Sequence, residues 1–184
     1  MNRGKLFIIS APAGTGKTTL VNMLTTECPT VVRSVTCTTR APRPNEKNGI
    51  DYYFLTEEAF QKKLAAGDFL EHATVFGNHY GTSKELVEKE LSQGKNVILV
   101  IDVQGADQLR GKVDATFIFI SPPNLDELKK RLVKRGTEND ASLEKRLKAA
   151  RHELEMISHY DYHIVNDDLH AAYQALKKII GVLC

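Results

Sequence analysis

A glycine-rich segment near the N-terminus carries the residues best suited to chemistry. Residues 11–18 read A-P-A-G-T-G-K-T and directly follow an apolar run at 6–9. A strand that leads into a turn ending in Gly-Lys-Thr is typical of a P-loop, whose backbone N–H groups and following helix N-terminus surround a phosphate chain. We expect Lys17 to reach the β- and γ-phosphates of a nucleoside triphosphate and the Thr18 hydroxyl to ligate Mg²⁺. The alternative is a purely structural turn with a surface lysine.

A second group of polar residues lies further along the chain. Arg40 and Arg43, in T-T-R-A-P-R, are three positions apart, and paired guanidinium groups suit an oxyanion such as a monophosphate. Tyr52 and Tyr80 would add O–H donors to the same phosphate. Each tyrosine alone fits half-buried packing equally well, and the arginines alone are typical of a charged surface.

Glu71 lies in the apolar context F-L-E-H and is a candidate for binding the base of a nucleotide. A buried carboxylate needs a partner, and guanine presents N1–H and N2–H₂ donors side by side. The O6 atom of guanine accepts a hydrogen bond, which suits the hydroxyl of Thr36. Adenine reverses the polarity at position 6 and lacks the N2 amine, so this pair indicates guanine. An ordinary carboxylate at the rim of a site is the alternative.

Further groups would complete a site for phosphoryl transfer. Asp102 follows an apolar run, and the C-terminal end of a parallel strand faces the ligand crevice of an α/β sheet. We expect it to hold a water on Mg²⁺ or to contact the acceptor nucleotide. The arginine-rich segment 124–155 predicts a helical lid, in which Arg135 and Arg146 neutralise charge on the transferring group. The alternative for this segment is a solvated amphipathic hairpin.

Alternating strand and helix patterns must position these groups. Helical patterns follow the P-loop, run from about 84 to 93 and close the chain at 169–180. The segment 34–82 is too long for a simple connection and predicts a small inserted unit. The whole pattern predicts an α/β fold with a parallel sheet flanked by helices. Near-continuous apolar runs, typical of strands buried on both faces, occur at 6–10, 96–101, 115–121 and 162–166, with 31–39 as a fifth.

Composition narrows the classes of protein. A chain of 184 residues with 42% apolar and 26% charged residues is typical of one compact domain. A net charge of +2 argues for neither a nucleic acid nor a membrane partner, and no apolar run approaches the length of a membrane span. Cys28, Cys37 and Cys184 are odd in number and lack C-x-x-C spacing. We therefore expect no disulfide framework and a reducing compartment. The N-terminal residues lead straight into an apolar run without a signal-peptide pattern, so we expect a cytoplasmic location.

Several signatures taken together resemble the guanylate kinase family over essentially the whole chain. The resemblance implies Mg²⁺-dependent transfer of the ATP γ-phosphate to GMP, and to dGMP, and it implies no protein partner beyond these substrates. It implies a P-loop core at 1–33, 83–123 and 156–184, a GMP-binding insertion at 34–82 and a lid at 124–155. The signatures are SAPAGTGKTTL, SVTCTTRAPRPNEKNGIDYYF, FLEHATVFGNHYGT, IDVQGA, LKKRLVKRGTE and IVNDD.

The resemblance also implies roles for individual positions. ATP-binding roles fall on Ala11, Pro12, Ala13, Gly14, Thr15, Gly16, Lys17, Thr18, Thr19 and Asn166, the last beside the adenine with Asp167. GMP-binding roles fall on Thr36, Arg40, Arg43, Tyr52, Glu71, Tyr80, Thr82 and Asp102. Lys17, Arg135 and Arg146 are the implied catalytic residues, and Thr18 is the implied metal ligand. Val100 departs from the family, since many members have an acid at that position. The role of an acid in holding Mg²⁺ or the acceptor would therefore fall on Asp102.

Three other functions compete with this interpretation. D-V-Q-G at 102–105 fits a GTPase motif, but no N-K-x-D motif is present. A guanylate-kinase-like module that binds proteins without catalysis is opposed by the retention of Lys17 and Thr18. A kinase for another monophosphate is opposed by Glu71 together with Thr36.

Overall fold

The computed structural model of the chain describes residues 3–134 and 140–181, and a parallel sheet lies at its centre. Its strands are β1 (Leu6–Ser10), β2 (Val31–Arg33), β7 (Asn96–Val100), β8 (Ala115–Ser121) and β9 (Tyr162–Val165). Their order is β2-β7-β1-β8-β9, and every neighbouring pair is parallel. The central strand β1 is buried along its whole length, as its apolar sequence predicts.

Helices cover both faces of this sheet. They are α1 (Lys17–Glu27), α3 (Lys84–Ser92), α4 (Val103–Leu109) and α7 (Leu169–Ile180). Alternate residues of β1 point to opposite faces: Phe7 and Ile9 pack in the cluster that contains α1 and α7, whereas Ile8 packs in the cluster of α3 and α4. The predicted α/β class, with helices on a parallel sheet, is therefore confirmed.

A second, four-stranded sheet is formed by residues between 37 and 83, nearly all of them in the segment 34–82. Its strands are β3 (Cys37–Thr38), β4 (Tyr53–Phe54), β5 (Phe69–Val75) and β6 (Asn78–Ser83), in the order β4-β3-β6-β5. Helix α2 (Glu57–Ala65) packs on it through Phe60, which stacks on Phe69 with ring centroids 4.6 Å apart. This unit therefore has a small apolar core of its own, separate from the parallel sheet.

The prediction of one strand at 31–39 is wrong, because this stretch is divided between the two sheets. The N–H of Ser34 still donates to the carbonyl of Ile98 in β7, at 2.9 Å. Two residues later the carbonyl of Thr36 accepts from the N–H of Tyr53, also at 2.9 Å. The chain thus leaves one sheet and enters the other between positions 34 and 36, although its β-rich composition is continuous.

The segment 124–155 contains two helices, α5 (Leu125–Lys134) and α6 (Asp140–Glu155). They pack through a cluster centred on Leu128, Leu132 and Ala150. Each helix has an apolar stripe between its basic residues, and the two helices pack against each other through these stripes. A short 3₁₀-helix, Met156–His159, connects α6 to β9.

Two further observations concern the predicted class of protein. In the described ranges no helix combines the length and apolar character needed to cross a membrane. Cys28 is disulfide-bonded, whereas Cys37 is free and buried, and Cys184 lies outside the described residues. The bond at Cys28 departs from the expectation of reduced cysteines without a disulfide framework, because residue spacing does not reveal which cysteines the fold brings together.

Candidate active site

The P-loop connects the end of β1 to the first turn of α1. The Thr15 hydroxyl and N–H both donate to the Pro12 carbonyl, at 2.8 and 3.3 Å, and these bonds close the turn. Gly16 caps α1 with φ 87°, a left-handed conformation that favours glycine. A Cβ at Gly14 would lie 2.8 Å from the side chain of Leu132, so α5 packs directly against the loop.

Asn166 stabilises the P-loop through a hydrogen bond to the backbone of the loop. Its side-chain amide donates to the Thr15 carbonyl at 2.6 Å, and only 4% of the residue is exposed. Its backbone is held as well, because its N–H donates to Ser121 at 2.8 Å and its carbonyl accepts from Arg131 at 2.9 Å. The structure therefore places this predicted ATP-binding residue against the loop, where it bonds to the loop's backbone.

Lys17 begins α1 and reaches back across the loop. Its Nζ donates to the Ala11 carbonyl at 3.0 Å. Burial lowers the pKa of Lys17, and the carboxylates of Glu153 and Asp102 oppose that shift. The ammonium group is thus held at the mouth of the loop, and the next two side chains, Thr18 and Thr19, are exposed.

A cavity of about 200 Å³ lies beside Lys17, between the parallel sheet and the second sheet. Seven residues singled out from the sequence line it: Lys17, Thr18, Thr36, Tyr52, Glu71, Tyr80 and Asp102. Residues with no predicted role also line it, namely Arg33, Ser34, Asp51, Ala73, Val75 and Ile101, together with Val100. Ser34 and Asp51 each lie within two residues of a predicted site residue, and this is the signal by which they could have been found.

Glu71 projects from β5 and is only 3% exposed. The hydroxyl of Thr82, on the neighbouring strand β6, donates to its Oε1 at 2.5 Å. Burial raises the pKa of Glu71 to about 7, with the Thr82 hydrogen bond opposing the shift and the Asp102 carboxylate adding to it. The cavity therefore contains a buried carboxyl group that titrates near neutral pH.

Arg40 is held by Glu46, a residue that the sequence analysis did not single out. Both carboxylate oxygens of Glu46 lie 2.9 Å from an Arg40 nitrogen, and one accepts from the backbone N–H of Arg43 at 2.8 Å. The Arg40 guanidinium lies 5.2 Å from the ring centroid of Tyr52, which in turn is 6.1 Å from that of Tyr80. The structure therefore groups Arg40 with the two tyrosines and leaves the exposed Arg43 side chain at the edge of this group.

Asp102 lies two residues beyond the end of β7 and caps α4. Its Oδ1 accepts from the N–H of Gly105 at 3.0 Å and its Oδ2 accepts from the Gln104 side chain at 3.1 Å. Burial raises the pKa of Asp102, and the bond from Gly105 opposes that shift. The helix cap thus points the carboxylate toward the cavity that Lys17 also lines.

A further carboxyl group, Glu153, comes from α6. Burial raises its pKa to about 7, with Lys17 opposing the shift and Asp102 adding to it. Glu153 therefore interacts electrostatically with both Lys17 and Asp102. Its context, R-H-E-L within a charged helix, offers no sequence signal that would have singled it out.

Of the two predicted lid arginines, Arg146 lies within the described residues and Arg135 does not. The guanidinium of Arg146 lies over the ring of Phe76, 5.0 Å from its centroid. Phe76 is in the turn between β5 and β6. One arginine of α6 is thus placed against the second sheet, and the role of Arg135 stays a prediction.

The chain is similar over most of its length to curated proteins and to solved structures. It is 58% identical over 178 residues to a guanylate kinase of Protochlamydia amoebophila, covering 97% of this chain and 90% of that protein. It is 49% identical over 183 residues to a guanylate kinase of Clostridium perfringens (strain SM101 / Type A), covering 99% and 83%. A crystal structure of guanylate kinase from Anaplasma phagocytophilum matches with a TM-score of 0.79 and 35% identity, covering 97% and 85%.

A more distant match supports the fold alone. A shikimate kinase structure from Bacteroides thetaiotaomicron matches with a TM-score of 0.53 at 14% identity, covering 97% of this chain and 99% of that one. The family model for guanylate kinase matches residues 3–182. This match and the identities of the curated relatives extend over nearly the whole chain, so the protein belongs to the guanylate kinase family.

Proposed function

We propose that this protein transfers the γ-phosphate of ATP to GMP, and to dGMP, giving ADP and the nucleoside diphosphate. The observation that carries the proposal is the buried carboxyl group of Glu71, held by Thr82 in a cavity that Lys17 also lines. A carboxylate accepts two parallel N–H donors, and guanine presents such a pair on one edge. The P-loop and the base-reading carboxylate thus share one site, as a transfer between two nucleotides requires.

The acceptor nucleotide would lie along the cavity. Glu71 would accept from N1–H and N2–H₂, and the Thr36 hydroxyl would donate to O6. Ser34 would add a second hydroxyl, since its buried oxygen has no hydrogen-bond partner among the described residues. The GMP phosphate would be bound by Arg40, Arg43, Tyr52 and Tyr80, whose guanidinium and hydroxyl groups suit a phosphate dianion.

The ATP phosphates would lie in the P-loop, with their charge stabilised by Lys17. Asn166 would hold the loop and lie near the adenine. The described ranges contain no group of three or more His, Cys, Asp and Glu side chains able to bind a metal ion by themselves. This fits Mg²⁺, which is usually bound through one or two protein oxygens together with substrate phosphates and waters. Thr18 and Asp102, directly or through water, are the residues that would hold the ion, which neutralises phosphate charge when bound.

The remaining residues would act by positioning and by charge. Phosphoryl transfer needs little covalent chemistry from the protein, so aligning the two nucleotides accounts for most of the catalysis. Arg146 and Arg135 would neutralise charge on the transferring group, and α5 with α6 would cover the site. We further propose a cytoplasmic enzyme of purine nucleotide metabolism that acts on free nucleotides, in keeping with its small net charge.

The test is an assay of ADP formation with GMP, dGMP, AMP, CMP and UMP offered in turn. GMP is expected to give the highest kcat/KM, and a higher value for any of the other bases would contradict the proposal. Lys17→Ala separates the kinase from an inactive binding module: we expect turnover to fall steeply while GMP binding persists. Lys178→Ala, an exposed lysine of α7 away from the P-loop, is the matched control and should leave turnover unchanged.

A further inference from the structure

Gly105 lies inside α4, where its backbone does not require glycine. It is buried and is not among the residues with a positive φ. Glycine is a poor helix former because it loses more backbone freedom than alanine on folding. A glycine at this position must therefore be explained by the space around it.

That space is occupied by the carboxyl group of Glu71. A Cβ built on Gly105 would lie 2.4 Å from Oε2 of Glu71 and 3.1 Å from its Cδ. It would also lie 3.4 Å from Cδ1 of Ile101, which is an ordinary van der Waals contact. The steric conflict of any side chain at position 105 is thus with the Glu71 carboxyl group.

The opposite side of the same group is held by Thr82, whose hydroxyl donates to Oε1 at 2.5 Å. The carboxyl group therefore lies between a hydroxyl on β6 and the bare backbone of α4. Because Glu71 is almost fully buried, it cannot move aside into solvent. Gly105 also donates its N–H to Asp102 at 3.0 Å, so α4 is held in register with the end of β7.

We infer that Gly105 is a positioning residue for base recognition: its missing side chain sets where the Glu71 carboxylate lies and hence how well guanine is distinguished from other purines. This inference rests on the proposed function, since it assumes that Glu71 binds the base. A methyl group at position 105 would push the carboxylate out of line with the two adjacent N–H donors of guanine. The P-loop would keep its geometry, because the atoms nearest to a Cβ at Gly105 belong to Glu71 and Ile101 and not to the loop.

The experiment is Gly105→Ala, assayed with GMP, with inosine monophosphate and with ATP. Inosine monophosphate lacks the N2 amine, so the ratio of kcat/KM for the two acceptors reports the second hydrogen bond to Glu71. We expect KM for GMP to rise roughly tenfold or more and the ratio of GMP to inosine monophosphate to fall roughly tenfold. KM for ATP should change by less than about twofold, because loss of a base contact does not affect the phosphate loop.

Two controls separate positioning from a general structural defect. Ala106→Gly changes the next residue of α4 and should lower the melting temperature while leaving the ratio of the two acceptors unchanged. Glu71→Asp shortens the side chain by one methylene and makes room for a methyl group at position 105. In that background Gly105→Ala should change KM for GMP by less than about twofold, which is the non-additivity expected of two residues in contact.

Each outcome has a clear meaning. An unchanged acceptor ratio in Gly105→Ala, effects that add in the double variant, or equal rises in both KM values would each overturn the inference. Failure of the wild-type protein to phosphorylate GMP would instead refute the proposed function. That result comes from a separate measurement, so the two failures are distinguishable.

Discussion

The guanidinium of Arg146 lies 5.0 Å from the ring centroid of Phe76, and this contact joins α6 to the hairpin of β5 and β6. Phe76 is 55% exposed and has φ 49°, which is uncommon for a residue other than glycine. The conformation directs an aromatic ring outward at the tip of the hairpin. The second sheet, which contains Glu71, is thereby linked to the helix that provides Arg146 and Glu153.

Removing the ring should weaken this link. Phe76→Asn keeps a residue that tolerates the left-handed conformation but lacks the aromatic face. An exposed cation–π contact contributes about 0.5–1 kcal/mol, so the equilibrium constant for α6 lying against the hairpin should fall roughly two- to fivefold, and the population in contact should fall with it. Energy transfer between dyes attached at Asn78 and Lys148 measures that population. Phe76→Tyr, which keeps the ring, should match the wild-type protein, and equal distances in all three proteins would contradict the prediction.

The pKa of Glu71, about 7, predicts that binding of the base depends on pH. Only the carboxylate accepts from both N–H donors of guanine, so binding should release a proton and strengthen as pH rises. Between pH 6 and pH 8 the affinity should increase roughly tenfold and then level off. Calorimetry with guanosine in buffers of different ionisation enthalpy measures the released proton without interference from the phosphate of GMP. Glu71→Gln should bind weakly at all pH values and release no proton; proton release that survives in this variant would exclude Glu71 as its source.

The same pKa shift affects folding stability, with a sign that follows from linkage. Between pH 4.5, its ordinary value, and about 7, Glu71 keeps a proton in the folded state that it has lost in the unfolded state. The free energy of unfolding should therefore fall as pH rises through this window, by at most about 3 kcal/mol for this group. Urea unfolding at pH 5 and at pH 8 measures the difference. Glu71→Gln should show a smaller fall, and Glu153, whose pKa is also about 7, should account for part of what remains.

Thr82→Val tests the hydroxyl that holds Glu71. The two side chains have nearly the same shape, so the change removes a hydrogen-bond donor with little change of volume. Because the bond from Thr82 lowers the pKa of Glu71, its loss should move the pH midpoint of guanosine binding upward and raise KM for GMP. Thr82→Ser keeps a hydroxyl and should restore the wild-type midpoint. A midpoint that is the same in all three proteins would show that the hydroxyl does not influence the carboxyl group.

Asp102 combines a helix cap with a charge near Lys17, and two substitutions separate these roles. Asp102→Asn keeps a good N-cap, so stability should hold while kcat falls through loss of the carboxylate. Asp102→Ala removes both the helix cap and the charge. It should therefore lower kcat and also lower the free energy of unfolding by about 1 kcal/mol. Thermal unfolding and steady-state rates on the same preparations measure the two effects. Equal melting temperatures for the two variants would mean that the cap seen at Gly105 contributes little.

The sequence by itself determined the elements whose residues signal their own conformation. The apolar runs at 6–10 and 115–121 coincide with β1 and β8, and the pattern at 169–180 coincides with α7. Burial on both faces requires continuous apolar residues, and a helix requires apolar residues at its own period, so both are visible in a short window of sequence. The P-loop belongs to the same class, because glycine spacing and the residues that follow it specify a local backbone path.

The tertiary structure decided the relationships between distant positions. It divided 31–39 between two sheets, brought Glu153 to Lys17, and placed Glu71 against Gly105, 34 positions further along the chain. No local pattern encodes such a contact, because its free energy depends on which surfaces of separate elements meet. A glycine inside a helix and a carboxyl group in an apolar strand each look unfavourable alone. When the two are packed together, the glycine leaves the space that the carboxyl group occupies.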